Sequence, residues 1–129
     1  MSLVAGTRIE MADDGEGWFA GLNGSPLTGS VMGVISSQAR PGDWHVVLFD
    51  QPLEVQEKGG NTPSGLQLVR YAQAVIAVRM AGDVLGREGS TPCYLCLVRD
   101  GDEAPTNDEE LAHYEVRAWS RCRVLASAA

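Results

Sequence analysis

The stretch from Trp44 to Val55, Trp-His-Val-Val-Leu-Phe-Asp-Gln-Pro-Leu-Glu-Val, constrains the fold more than any other part of the chain. Trp44, Val46 and Leu48 alternate onto one side and Val47 and Phe49 onto the other, so both faces are apolar. A strand of that kind has to be covered twice, which makes it a central strand rather than one lying half in water. Pro41-Gly42-Asp43 supplies turn chemistry just before it. Pro52 has no amide hydrogen to give to a ladder and is expected to end or bend the pairing. At 129 residues with 44% hydrophobic content, the chain can cover such a strand within one domain, residues 1–129.

Other strands follow from alternation. Thr7, Ile9 and Met11 alternate with Arg8 and Glu10, and Asp13 to Gly17 reads as an acidic turn. Trp18 to Leu22 is a short apolar run closed by Asn23-Gly24-Ser25-Pro26. Val31 to Ile35 reads as a strand whose Gly33 marks a bulge or the close approach of a neighbouring backbone. Glu57 to Gly65 is a surface loop. Pro92 to Val98 is a strand ended by Arg99-Asp100-Gly101-Asp102.

Two segments can be read either way. Leu66 to Met80 fits a helix with Thr62 as cap, Pro63 in the first turn and Gly82 as stop. It fits a strand through Val69, Tyr71, Val75, Ile76 and Val78. In the tail, Asn107 and Glu110 resemble a capping box. From Tyr114 to Val124, however, small or apolar residues alternate strictly with Glu115, Arg117, Trp119, Arg121 and Arg123. One helical turn near Glu110 followed by a strand is the favoured reading.

Charge narrows the partners. With 17 acidic against 10 basic residues the net charge is −7, which weighs against a general nucleic-acid or anionic-membrane binder, since both need a basic surface. No run approaches the roughly 20 apolar residues of a membrane span. The N-terminal residues show no basic segment followed by an apolar run, so no signal peptide is expected. Cys93, Cys96 and Cys122 form an odd set, expected as reduced, buried thiols in a cytoplasmic protein.

Taken in order, Gly6-Thr7-Arg8-Ile9-Glu10-Met11, Gly29-Ser30-Val31-Met32-Gly33-Val34-Ile35 and Gly42-Asp43-Trp44-His45-Val46-Val47-Leu48-Phe49-Asp50 resemble the strand grammar of SH3-like small barrels of the Tudor and KOW kind. The resemblance spans residues 6 to 55. The pattern is also similar to short orphan bacterial reading frames, including those of mobile gene cassettes. The SH3-like resemblance implies a mainly β fold, a small, partly open barrel of antiparallel strands with a C-terminal extension, and it favours a strand for residues 66 to 80. The alternative is an α+β fold, an antiparallel sheet with helices at 63–81 and 108–125. Tudor-type modules hold methylated side chains between aromatics, so the resemblance implies binding, with Trp18, Phe19, Trp44 and Tyr71 as local candidates. Their spacing is not that of a recognisable cage, and an aromatic on a β run is more often a core residue.

Catalytic signatures are scarce. Gly15-Glu16-Gly17-Trp18-Phe19-Ala20 spells a dinucleotide loop, but no helix is expected after it to receive a pyrophosphate. Cys93-x-x-Cys96 could hold zinc or cycle a disulfide, yet residues three apart in a strand point to opposite faces. The acidic residues from Asp100 to Glu110 lack calcium-loop spacing. No metal and no cofactor are expected. Arg117, Arg121 and Arg123 around Trp119 form a basic-aromatic stripe that could face the acidic loop of a second copy. The expected function is a non-enzymatic binding or interaction module, self-associating or meeting a protein or peptide, with Trp18, Trp44, Tyr71, Arg117, Trp119 and Arg121 as contact candidates. The alternative is a small-ligand or enzymatic domain whose site forms only in three dimensions, with His45, Asp50 and His113 as candidates.

Overall fold

The computed structural model describes residues 3–13, 26–38, 42–59, 63–80, 83–85, 89–116 and 118–126. Its elements are β1 (Arg8–Asp13), β2 (Leu27–Ser37), β3 (Gly42–Lys58), β4 (Leu66–Val78), β5 (Thr91–Arg99), a single-turn helix α1 (Asp108–Leu111) and β6 (Ala118–Ala126). Each strand pairs antiparallel with the next, and β6 returns to β1, with Glu10 opposite Arg123 and Met11 opposite Cys122. The barrel, expected to be partly open, therefore closes, with β6 as its last stave. The expected run at Trp18 to Leu22 and the dinucleotide-like spelling at Gly15 to Ala20 lie outside the described residues.

Closure needs curvature, and the ladders supply it as register shifts. Interruptions fall between Arg8 and Ile9, Val31 and Gly33, Leu48 and Leu53, and Tyr71 and Gln73, where extra residues bend a strand and increase its twist. The shift beside Gly33 is the bulge its position implied. Pro52 sits inside the Leu48–Leu53 interruption, so it bends the pairing and β3 resumes to Lys58 beyond it. Gly29 permits close approach. A Cβ there would stand 2.8 Å from Val47 Cγ1 and also strike the Leu48 carbonyl.

The two apolar faces of β3 have two destinations. Val47 and Phe49 point into the barrel with Ile9, Met11, Tyr71, Ile76, Cys93 and Cys122, and the interior is filled by side chains. Trp44 and Val46 point outward into a second core with Ile35, Val75, Ala77, Cys96, Val98 and Leu111. Segment 66–80 is a strand for the same reason: Ala74 and Ile76 enter one core, Val75 and Ala77 the other. Among the described residues, the helices of the alternative reading at 63–81 and 108–125 are absent apart from α1. Asn107 caps α1, its Oδ1 accepting the Glu110 N–H at 2.8 Å, while the Glu110 carboxylate accepts from Thr106 Oγ1 at 2.9 Å.

Candidate functional site

The outer core requires a cover, and the segment after β5 provides it. Leu111 is fully buried against β2, β3, β4 and β5. Asp108 fastens the cover by accepting from Ser37 Oγ at 2.6 Å and from the Gln38 N–H at 3.0 Å, and Tyr114 donates to the Glu103 carbonyl at 2.9 Å. The acidic stretch of residues 100 to 110 is thus a strap across the barrel wall. Its edge, Ala104, Pro105 and Thr106, stops short of full coverage. Between that edge and β2, β3 and β4 lies a groove of about 360 Å3, lined also by Met32, Gly33, Val34, Ile35, Val46, Leu48 and Gln73. Met32 and Leu48 stand at its lip, 55% and 41% exposed. Gly33 leaves its floor open, since a Cβ there meets nothing within 4 Å.

The expected contact residues do not converge. Trp44 is buried in the outer core and Tyr71 in the interior, on opposite sides of the barrel wall. Trp119 is half-buried, with the Arg79 guanidinium 5.2 Å from its ring and 5.7 Å from that of Tyr94. Arg121 donates to Ser90 through Nε and Nη2, at 2.9 and 3.1 Å, and Arg123 pairs with Glu10 at 3.2 Å. The stripe is therefore largely answered within its own chain. Trp18, Phe19 and Arg117 lie outside the described residues.

His45, Asp50 and His113 occupy three separate places. Asp50 is held outside the barrel by Arg8, whose Nη1 reaches it at 2.7 Å and whose Nη2 makes the second bond of a fork, and Thr28 Oγ1 donates to it at 2.6 Å. The Arg8 bonds hold its carboxyl well below the usual range, with Thr28 adding to the effect. It is an occupied acceptor rather than a free base. His113 lies on an exposed cleft of about 260 Å3 with Tyr71, Leu97, Arg99, Asp102, Tyr114 and Glu115. His45 is opposite Ile76 in the ladder and faces the barrel interior with it. Its Nε2 accepts the Leu3 N–H at 2.9 Å, and the ring lines a cavity at the barrel mouth. Burial pushes its pKa below the ordinary 6.5 despite the nearby charge of Asp43.

The three thiols are buried and unbridged. Cys93 belongs to the interior and Cys96 to the outer core, so the Cys-x-x-Cys pair is split by the barrel wall. Cys122 shares the interior with Cys93, and contact with it, then burial, pushes the Cys93 thiol far above its usual range. Among the described residues no group of three His, Cys, Asp or Glu side chains could hold a metal ion, and no helix is long and apolar enough to cross a membrane.

Fold and surface together define a closed six-strand antiparallel β-barrel with a strapped outer wall and a groove under the strap's edge. No protein-family model, no curated protein and no solved structure matches the chain. The groove escaped sequence reasoning because its rim comes from residues 32–35 and 104–106, far apart in the chain. The one local signal was Leu111, a lone large apolar residue directly after Asp108-Glu109-Glu110.

Proposed function

We propose that the protein is a non-enzymatic binding module whose groove beneath residues 104–106 takes a small, largely apolar molecule bearing one hydrogen-bonding group for the Gln73 amide. The groove itself carries the reading. Its volume of about 360 Å3 falls within the range of small-molecule sites, which are typically apolar with a few polar anchors. The filled barrel interior supports an outer-wall site, and the resemblance of residues 6 to 55 to Tudor and KOW modules agrees with binding. N-phenyl-1-naphthylamine, a neutral apolar fluorophore with one N–H, is the probe. Saturable enhancement is expected with the wild type and a loss of about tenfold or more in affinity with Gly33→Leu, whose side chain fills the groove. Thermal midpoints should stay matched. Absence of saturation, or unchanged binding in Gly33→Leu, refutes the groove; reproducible turnover in a broad substrate screen refutes the non-enzymatic reading.

Self-association is a second reading, favoured by the β3–β4 hairpin. The last β2–β3 pair is at Phe49 and the first β4–β5 pair at Tyr71, yet β3 and β4 stay paired out to Lys58 and Leu66. The hairpin therefore runs past the barrel with Leu66 and Leu68 exposed beside the Glu54–Arg70 ion pair. A patch holding leucines and both charges is self-complementary across a two-fold axis, and its occupant in this reading is a second copy of the chain.

A further inference from the structure

We propose that the barrel mouth opposite His45 holds a second binding site, which takes a free amino acid with an apolar side chain. β4 begins its pairing with β5 at Tyr71 and Arg99 and ends it at Val78 and Cys93. Val78 borders the cavity at His45, so Tyr71 and Arg99 mark the other end of the barrel. A cleft of about 260 Å3 lies there, bordered by residues 113–115 of the strap. Barrel mouths are a recurrent place for ligands, and a volume a little under the roughly 300–1,000 Å3 of drug-sized sites suits a smaller molecule.

The chemistry of the ligand follows from how charge is placed around the cleft. Along β5, Leu95 and Leu97 belong to the interior core, and alternation puts Arg99 on the same face, so a guanidinium follows two leucines at the mouth. Asp102 and Glu115, both exposed, line the cleft with it. Among the described residues Arg99 makes no ion pair, so it stands apart from both carboxylates. The turn fixes part of that spacing, because the Asp102 N–H donates to the Arg99 carbonyl at 3.0 Å. One cleft thus presents a cation and two anions held apart.

A ligand bearing both charges fits this arrangement, and simpler ones do not. A carboxylate alone would gain Arg99 but meet the charges of Asp102 and Glu115, and an amine alone would meet the reverse. A purely apolar molecule would cover three charges without answering any of them. In an amino acid the carboxylate takes the planar fork of Arg99, and the ammonium group turns to Asp102 and Glu115. Its side chain lies against Leu97 and Tyr114, whose hydroxyl is already engaged by the Glu103 carbonyl.

The test titrates L-phenylalanine against 2-phenylethylamine, which lacks the carboxylate, and 3-phenylpropanoate, which lacks the ammonium group. Affinity is read by calorimetry, and occupancy by the NMR signals of the His113 ring, which lies on the same cleft. Millimolar saturation is expected for a ligand of about twelve non-hydrogen atoms. The His113 signals should move, those of His45 should not, and affinity should exceed that of both controls about fivefold or more. Arg99→Gln should abolish the preference over 2-phenylethylamine, and the pair Asp102→Asn and Glu115→Gln should abolish that over 3-phenylpropanoate. All three positions are exposed, so thermal midpoints should stay matched. Gly33→Leu should bind L-phenylalanine as the wild type does, separating this site from the groove. No saturation by about 20 mM, a control that binds as well as the amino acid, a preference that survives Arg99→Gln, or loss in Gly33→Leu overturns the proposal.

Discussion

His45 holds the N-terminal segment by a bond that exists only while its ring is neutral. An imidazolium has no lone pair to accept the Leu3 N–H, and Leu3 packs against the interior cluster. The folded-state pKa lies below 6.5, so as pH falls below that value the unfolded chain binds the extra proton first and stability declines. The slope cannot exceed one proton's worth, about 1.4 kcal/mol per pH unit. His45→Gln can still accept from Leu3 through Oε1 but does not titrate, so its thermal midpoint should fall less than the wild type's between about pH 7.5 and about pH 5. Equal declines would show that His45 is not responsible. Asp50 works in the same sense at lower pH, since its carboxyl is depressed and its contribution fades only on further acidification. At this scale the sequence was legible where parity decides. Cys93 and Cys96 had to face opposite ways, and they do. It was opaque where partners are remote, because nothing near Arg121 or Arg123 points to Ser90 or Glu10 as the groups that meet them.

The strap from residue 100 to 116 shows how a four-residue helix can be held by its surroundings. A helix this short does not persist alone; its Asn107 cap, the Ser37–Asp108 bond and the burial of Leu111 hold it in place. Leu111→Ala should cost about 2–5 kcal/mol, as truncation of a fully buried leucine does. Because Ala104 to Thr106 roof the groove from the same strap, naphthylamine affinity should fall in that variant at temperatures where it remains folded. Asn107→Ala, which removes only the cap, should cost about 1 kcal/mol. Urea unfolding measures both, and a loss in Leu111→Ala no larger than that in Asn107→Ala would show that burial of Leu111 is not the main anchor of the strap. The capping pattern from Asn107 to Glu110 made this turn readable in advance, but its position over the outer core was not. For residues 66 to 80, helix and strand propensities nearly balance. What decided the outcome was a core on each side of the sheet, which asks for apolar residues at both parities, as in Ala74 to Ala77.

On the scale of the whole molecule, closure was the least legible feature, because pairing β1 with β6 joins residues more than a hundred positions apart through side chains as unremarkable as Glu10 and Arg123. Closure also changes where self-association can begin. A closed barrel presents no free edge along its paired staves, and Trp119, at the centre of the basic-aromatic stripe expected to face a second copy, is engaged by the chain's own Arg79. The β3–β4 hairpin past the barrel is the remaining candidate, with Leu68 58% exposed on its outward face. Natural edges are commonly guarded by lysine, and Lys58 is the chain's only one. Sedimentation equilibrium on the wild type, Leu68→Lys and Trp119→Ala distinguishes the two anchors. A dimer is expected for the wild type at micromolar concentration, a monomer for Leu68→Lys, and an undisturbed dimer for Trp119→Ala. That last variant should instead lose about 0.5–1 kcal/mol of stability with its cation–π contact. Dissociation by Trp119→Ala but not by Leu68→Lys would return the interface to β6. A monomeric wild type would remove self-association altogether and leave the groove beneath residues 104–106 as the surface on which the proposed function rests.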